Sequence, residues 1–94
     1  MSIHYHGSSP YARLTKHEII ILINAIRPDT ATCYQLEARN IMWLNECGGR
    51  DGRTPVWEWD NTSLEKLPGA TLIDLLHEIS PEHKHKHGAQ RKHR

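Results

Sequence analysis

The sequence predicts a small α+β domain of three helices with a short β-sheet. The expectation rests on Thr-headed capping boxes that open two segments of helical length, on aromatic and acidic residues that alternate from Val56 to Asp60, and on a closing apolar stripe at helical spacing. Helices that each bury one stripe need a sheet face or another helix to cover it, which is the α+β solution at this size. At 94 residues and 37% hydrophobic content, one core just offsets the entropy of ordering the chain. The expected organisation is an N-terminal arm over residues 1–13, a globular domain over 14–80 and a basic, His-rich tail over 81–94.

The arm mixes Gly, Ser, Pro, His and Tyr without periodicity, and Ile3, Tyr5 and Tyr11 are its only packing candidates. Order should begin with the capping box Thr15-Lys16-His17-Glu18, flanked by Leu14 and Ile19 as a hydrophobic staple. The run after it is rich in isoleucine, yet its length and the Arg27-Pro28 stop favour a nearly wholly buried helix from Lys16 to Ile26. Thr32 with Gln35 forms a second capping box, and Cys33, Leu36, Ile41, Trp43, Leu44 and Cys47 fall on one half of a helical circumference. A long helix from Thr32 to Cys47, stopped by Gly48-Gly49, is the expectation. Val56-Trp57-Glu58-Trp59-Asp60 reads as a strand with both tryptophans on its buried face, paired with the arm, with residues 49–54 or with another chain. After the turn at Asn61-Thr62-Ser63, Leu72, Leu75, Leu76 and Ile79 mark a last helix beginning near Thr62 or Pro68 and ended by Ser80-Pro81, with Asp74 and Glu78 facing water. The core is expected from the three stripes and the two strand tryptophans.

Charge is segregated. Residues 1–80 carry seven Lys/Arg against ten Asp/Glu, a net of −3, whereas 81–94 carry five against one, a net of +4. No apolar run has the length of a membrane helix and the N-terminus lacks a signal-peptide core, so a cytoplasmic protein is expected. With Cys33 and Cys47 on one helix, fourteen steps would hold them roughly 21 Å apart, beyond a disulfide or a shared metal. Both are expected to be reduced packing residues.

Catalytic constellations are missing from the sequence. His17-Glu18 and His77-Glu78 lack the second histidine of HExxH, GxSxG, P-loop, GxGxxG and CxxC motifs do not occur, and Asp74 with His77 reads as an ordinary surface pair. No enzyme activity and no cofactor are expected. The GGRDGR loop from Gly48 to Arg53 combines flexible backbone amides with two guanidinium groups, the ingredients of phosphate contact. Ser2-Ile3-His4, with Met1 removed, has the spacing of an N-terminal Cu(II) or Ni(II) site. For the tail a solvated, solubilising end is the first reading, phosphate contact by Lys84, Lys86, Arg91, Lys92 and Arg94 the second, and metal binding by His83, His85 and His87, which alternate with lysines and share one side of an extended chain, the third.

Helix, turn and helix from Thr15 to Cys47, followed by a Trp-bearing strand, resemble the first half of a winged-helix domain. The resemblance implies a break at Arg39-Asn40 and a recognition helix from Met42 to Cys47, a segment with Glu46 and neither Arg nor Lys. The preferred functional expectation is a small non-enzymatic interaction or regulatory protein. By analogy of size and motif poverty, it is of the kind that phages and mobile elements encode as accessory or inhibitor factors. It would bind a protein partner through Arg50, Arg53, Trp57 and Trp59. The alternative is nucleic-acid binding by the tail with Arg50 and Arg53, on a winged-helix-like core. A homodimer through a free strand edge is a further partner expectation.

Overall fold

The computed structural model describes residues 9–80, and among them four α-helices and one two-stranded antiparallel sheet give an α+β fold. The helices are α1 (Lys16–Asn24), α2 (Thr30–Ala38), α3 (Asn61–Glu65) and α4 (Gly69–Ile79), and the strands are β1 (Met42–Asn45) and β2 (Val56–Trp59). The described residues divide into two compact units, one built from 9–26 with 67–80 and the other spanning Arg27–Lys66. None of the described helices is long and apolar enough to cross a membrane.

The first unit packs α1 against α4. Its entry follows the capping box: the Glu18 amide donates to Thr15 Oγ1 at 3.1 Å and the Thr15 amide to Glu18 Oε1 at 2.8 Å. Ile19, Ile20 and Ile23 are buried, but Ile21 is 54% and Leu22 38% exposed, so α1 is amphipathic rather than nearly wholly buried. Five consecutive apolar side chains cannot all point inward on a helix packed along one side. The expected stripe of α4 is buried as read, with Ile73 added. Pro68 is its N-cap residue, and the Leu72 amide bonds the Pro68 carbonyl. Asp74 does not simply face water: its Oδ1 is buried and has no hydrogen-bond partner among the described residues. His77 shares a 2.8 Å hydrogen bond with Ser9 Oγ and a ring contact with Tyr11 at 5.0 Å, which ties the start of the described chain to α4.

The second unit departs most from expectation. Asp29, not Thr32, caps α2, its carboxylate accepting from the Thr32 amide at 2.8 Å; a carboxylate also suits the positive end of a helix. The helix then stops at Ala38 instead of running to Cys47. Asn40 takes a left-handed φ of 65°, its amide donates to the Glu37 carbonyl, and the Ile41 amide reaches back to the Leu36 carbonyl at 3.1 Å. These paired bonds are a Schellman closure, completed by burial of Leu36 and Ile41 on either side of it. Beyond the closure, Met42–Asn45 is a strand, so the recognition helix implied by the winged-helix likeness does not exist.

That strand is the partner the tryptophan strand needed. β1 and β2 pair in the register Met42 with Trp59, Trp43 with Glu58, Leu44 with Trp57 and Asn45 with Val56. Met42 is buried, while Trp57 and Trp59 are only half-buried; Ile41, Met42 and Leu64 occupy the core in their place. Asp60 then caps α3 by accepting from the Ser63 amide, and α3 contributes Leu64.

Because Asn40 lies in the left-handed region on an exposed side chain, substitutions there isolate backbone cost from packing. Asn40→Ala should destabilise by about 1 kcal/mol in urea unfolding, and Asn40→Gly should equal or exceed the parent. Equal stability of the alanine and glycine variants would show that the closure is not a stabilising constraint.

Candidate interaction surface

The hairpin of the second unit gathers most of the residues expected to bind a partner. Adjacent positions of a strand point to opposite faces, and paired positions share a face. One face of the sheet therefore carries Met42, Leu44, Trp57 and Trp59, and the other Trp43, Asn45, Val56 and Glu58. On the first face, Tyr34 of α2 meets Trp57 edge-on, ring centroids 5.0 Å apart at 82°. Such a pair contributes about 0.5–1.5 kcal/mol beyond its buried area. Tyr34 is nevertheless 56% exposed, so the contact holds an aromatic rim in solvent. On the second face Trp43 is 45% exposed.

Tyr34, Trp43 and Asn45 were not among the expected site residues. Trp43 was assigned to a helical stripe, which hid its place on a strand; β-branched or aromatic residues after Asn40 were the available signal.

The loop of residues 46–55 is ordered by its own acceptors. Asp51 Oδ1 takes the amides of Arg53 and Thr54, each at 2.9 Å, and Oδ2 takes the Thr54 hydroxyl at 2.8 Å. The amides of Gly49 and Gly52 go to the carbonyls of Thr54 and Gly49. Gly52 has a φ of +69°, and a Cβ on Gly49 would lie 2.7 Å from that of Thr54, so both glycines are required by geometry. Within Gly48 to Arg53 the amides of Gly48, Gly49, Gly52 and Arg53 thus have acceptors in the loop or at its edge, which leaves the two guanidinium groups as the part of the phosphate-contact expectation that the loop still presents. Arg50 and Arg53 remain exposed on this loop, and they are its available cations.

The Asp51 carboxyl is held below its ordinary value of 3.8, first by the Arg53 amide and then by the hydroxyl and amide of Thr54. All three bonds favour the charged form. The cysteines are not on one helix as expected. Cys33 is buried in α2, its thiol directed at the Pro28 carbonyl, and Cys47 is exposed in the loop after β1; both are free. Burial, and secondarily the charge of Asp29, pushes the Cys33 thiol upward. His83, His85, His87, Lys84, Lys86, Arg91, Lys92 and Arg94 lie outside the described residues, as does Ser2-Ile3-His4.

Two outcomes follow from these environments. Under native conditions a maleimide should modify Cys47 and spare Cys33 until denaturant is added, read by mass spectrometry of the labelled peptides; equal labelling of the two would contradict the burial of Cys33. For Asp51, the depressed carboxyl gives loop stability that is present above the ordinary carboxyl value and lost as pH falls through the lower folded one. Protection of the Arg53 and Thr54 amides, measured relative to their intrinsic exchange rates, should therefore persist on acidification past the ordinary carboxyl range and fall only at lower pH, and in Asp51→Ala it should be lost at neutral pH. Comparison of the chain with known protein families, with curated proteins and with solved structures finds no match.

Proposed function

We propose that this is a non-enzymatic interaction protein whose β1–β2 hairpin binds a protein partner. The supporting observation is the concentration of exposed or half-exposed aromatics, Tyr34, Trp43, Trp57 and Trp59, around a two-stranded sheet whose connecting loop presents Arg50 and Arg53. Tyr, Trp and Arg are the residues that most often carry binding energy, because they bring large contact area with little ordering cost and finish with a polar group. Their mounting on an ordered loop and a hydrogen-bonded ladder limits the entropy lost on docking. The buried core of the same unit, by contrast, is Cys33, Leu36, Ile41, Met42 and Leu64, with no aromatic among them. A regulatory or accessory role, of the phage-encoded type, accords with a chain that binds without transforming its partner.

The nucleic-acid reading keeps one specific support, the net charge of +4 over residues 81–94 against −3 for the rest. Phosphate contact by Lys84, Lys86, Arg91, Lys92 and Arg94, with Arg50 and Arg53, would be salt-dependent and indifferent to sequence.

A pull-down with full-length protein, with nuclease-treated controls, separates the two. A protein partner should be retained by protein ending at Ser80 and lost at least about tenfold in Trp57→Ala, the effect of a modest hot spot. Nucleic acid should instead shift at low salt with the full chain and fail to shift with the shortened one. Retention of the partner by a Trp57→Ala, Arg50→Ala, Arg53→Ala triple variant would exclude the Trp57 face and the loop as the binding surface.

A further inference from the structure

On the sheet face away from Tyr34, the register sets Trp43 directly across from Glu58, with Asn45 beside them on β1. Side chains of directly facing residues on antiparallel strands have Cβ atoms about 4.5–5.5 Å apart, so the indole and the carboxylate are neighbours. Glu58 is not left to rotate freely: Asn45 Nδ2 donates to its Oε2 at 2.8 Å. Asn45 is itself fixed, because its Oδ1 accepts from the Cys47 amide at 3.2 Å. The amide's two ends thus have different partners, which sets the nitrogen toward the acid. A carboxylate has a second oxygen, and here the group is half-buried beside an indole that is 45% exposed.

An aromatic face next to a held carboxylate has one natural complement. A guanidinium or ammonium group gains from the ring quadrupole and from a charge-assisted hydrogen bond together. An anion would be repelled by Glu58, and a purely apolar partner would have to strip water from the carboxylate without replacing it. We propose that the Trp43–Asn45–Glu58 face binds an arginine or lysine side chain of a basic peptide segment. The inference rests on the hairpin being the interaction surface and names the chemistry of what it meets. Arg50 and Arg53 do not contradict it, since they belong to the loop beyond the Asn45–Val56 end of the ladder.

The test uses the full chain and fluorescently labelled synthetic peptides of alternating Gly with Arg, Lys or Glu, measured by anisotropy at low salt. The Arg and Lys peptides should bind and the Glu peptide should not. Glu58→Gln should weaken the Arg peptide by about three- to fivefold and flatten the salt dependence. Trp43→Leu, which keeps an apolar side chain and deletes the ring, should weaken it by about threefold. Glu37→Gln removes the same charge from exposed α2 and should leave affinity unchanged, which separates this face from a general acidic attraction. Circular dichroism of each variant distinguishes lost binding from lost folding, and Asn45→Asp supplies a second variant if Trp43→Leu does not fold. Equal affinity of Glu58→Gln and parent, or equal weakening by Glu37→Gln, overturns the inference. A captured protein partner that needs Trp57 but is indifferent to Glu58→Gln overturns it too, while the hairpin reading stands.

Discussion

The left-handed turn at Asn40 is the constraint on which the second unit depends. Had the chain continued in helix past Ala38, Met42 to Asn45 would be wound away from Val56 to Trp59, and the latter would be a strand with no partner. A lone strand leaves all of its amides and carbonyls without a ladder partner, which buried backbone does not tolerate. Asn40 makes the reversal at small cost because its short polar side chain tolerates the left-handed region better than most non-glycine residues. The reversal also brings Ile41 back beside Leu36, so the apolar contact and the two carbonyl bonds reinforce one another. The ladder extends directly from it, with the Asp60 amide bonded to the Ile41 carbonyl and the Asp60 carboxylate opening α3.

A second acid, Asp51, sets which groups of the loop are left open to solvent. Backbone amides in a glycine-rich loop are the usual means of holding phosphate, and the acceptor that fills them is decisive. Here the carboxylate of the loop takes two amides and a hydroxyl, which orders the loop and removes its own anion site in one step. What remains for a ligand is side chain rather than backbone: the guanidinium groups of Arg50 and Arg53, the indoles and the ring of Tyr34.

Elements whose signals were local were legible in the sequence. The Thr15 to Glu18 box, the α4 stripe and the stop before Pro81 each depend on side chains within a turn or two, and each has its expected place. The error over residues 32–47 came from periodicity. A helical segment ending at Ala38 and a strand beginning at Met42 together imitate one amphipathic helix, because Ile41, Trp43 and Leu44 fall near the same sector as Cys33 and Leu36 at 100° per residue. A capping signature at the other end, Asn after Arg39 with an apolar residue following, was the competing evidence, and it outweighed a stripe that needed sixteen residues to build. The candidate surface was half legible for the same reason. Trp57, Trp59, Arg50 and Arg53 lie near one another in sequence, whereas Trp43 and Asn45 join them only through the pairing that the helix assignment concealed.

The hairpin carries charge at both ends of its ladder. Beyond the Asn45–Val56 end the loop holds Arg50 and Arg53 together with Glu46 and Asp51, the Asp51 carboxylate being taken up by the loop itself, while the held Glu58 carboxylate stands across from Trp43 and aromatic area lies on both faces. Aromatic burial supplies affinity with little regard to direction, since an indole accepts many neighbours. The charges do not, because a partner segment laid along the sheet with reversed polarity would set a cation against Arg50 and Arg53 and an acid against Glu58. On the proposed reading each like-charge juxtaposition would be unfavourable, so the charges would select one direction of docking more than they would add to affinity. The side chains that would enforce this are held within the hairpin, Glu58 by Asn45 and the loop by Asp51.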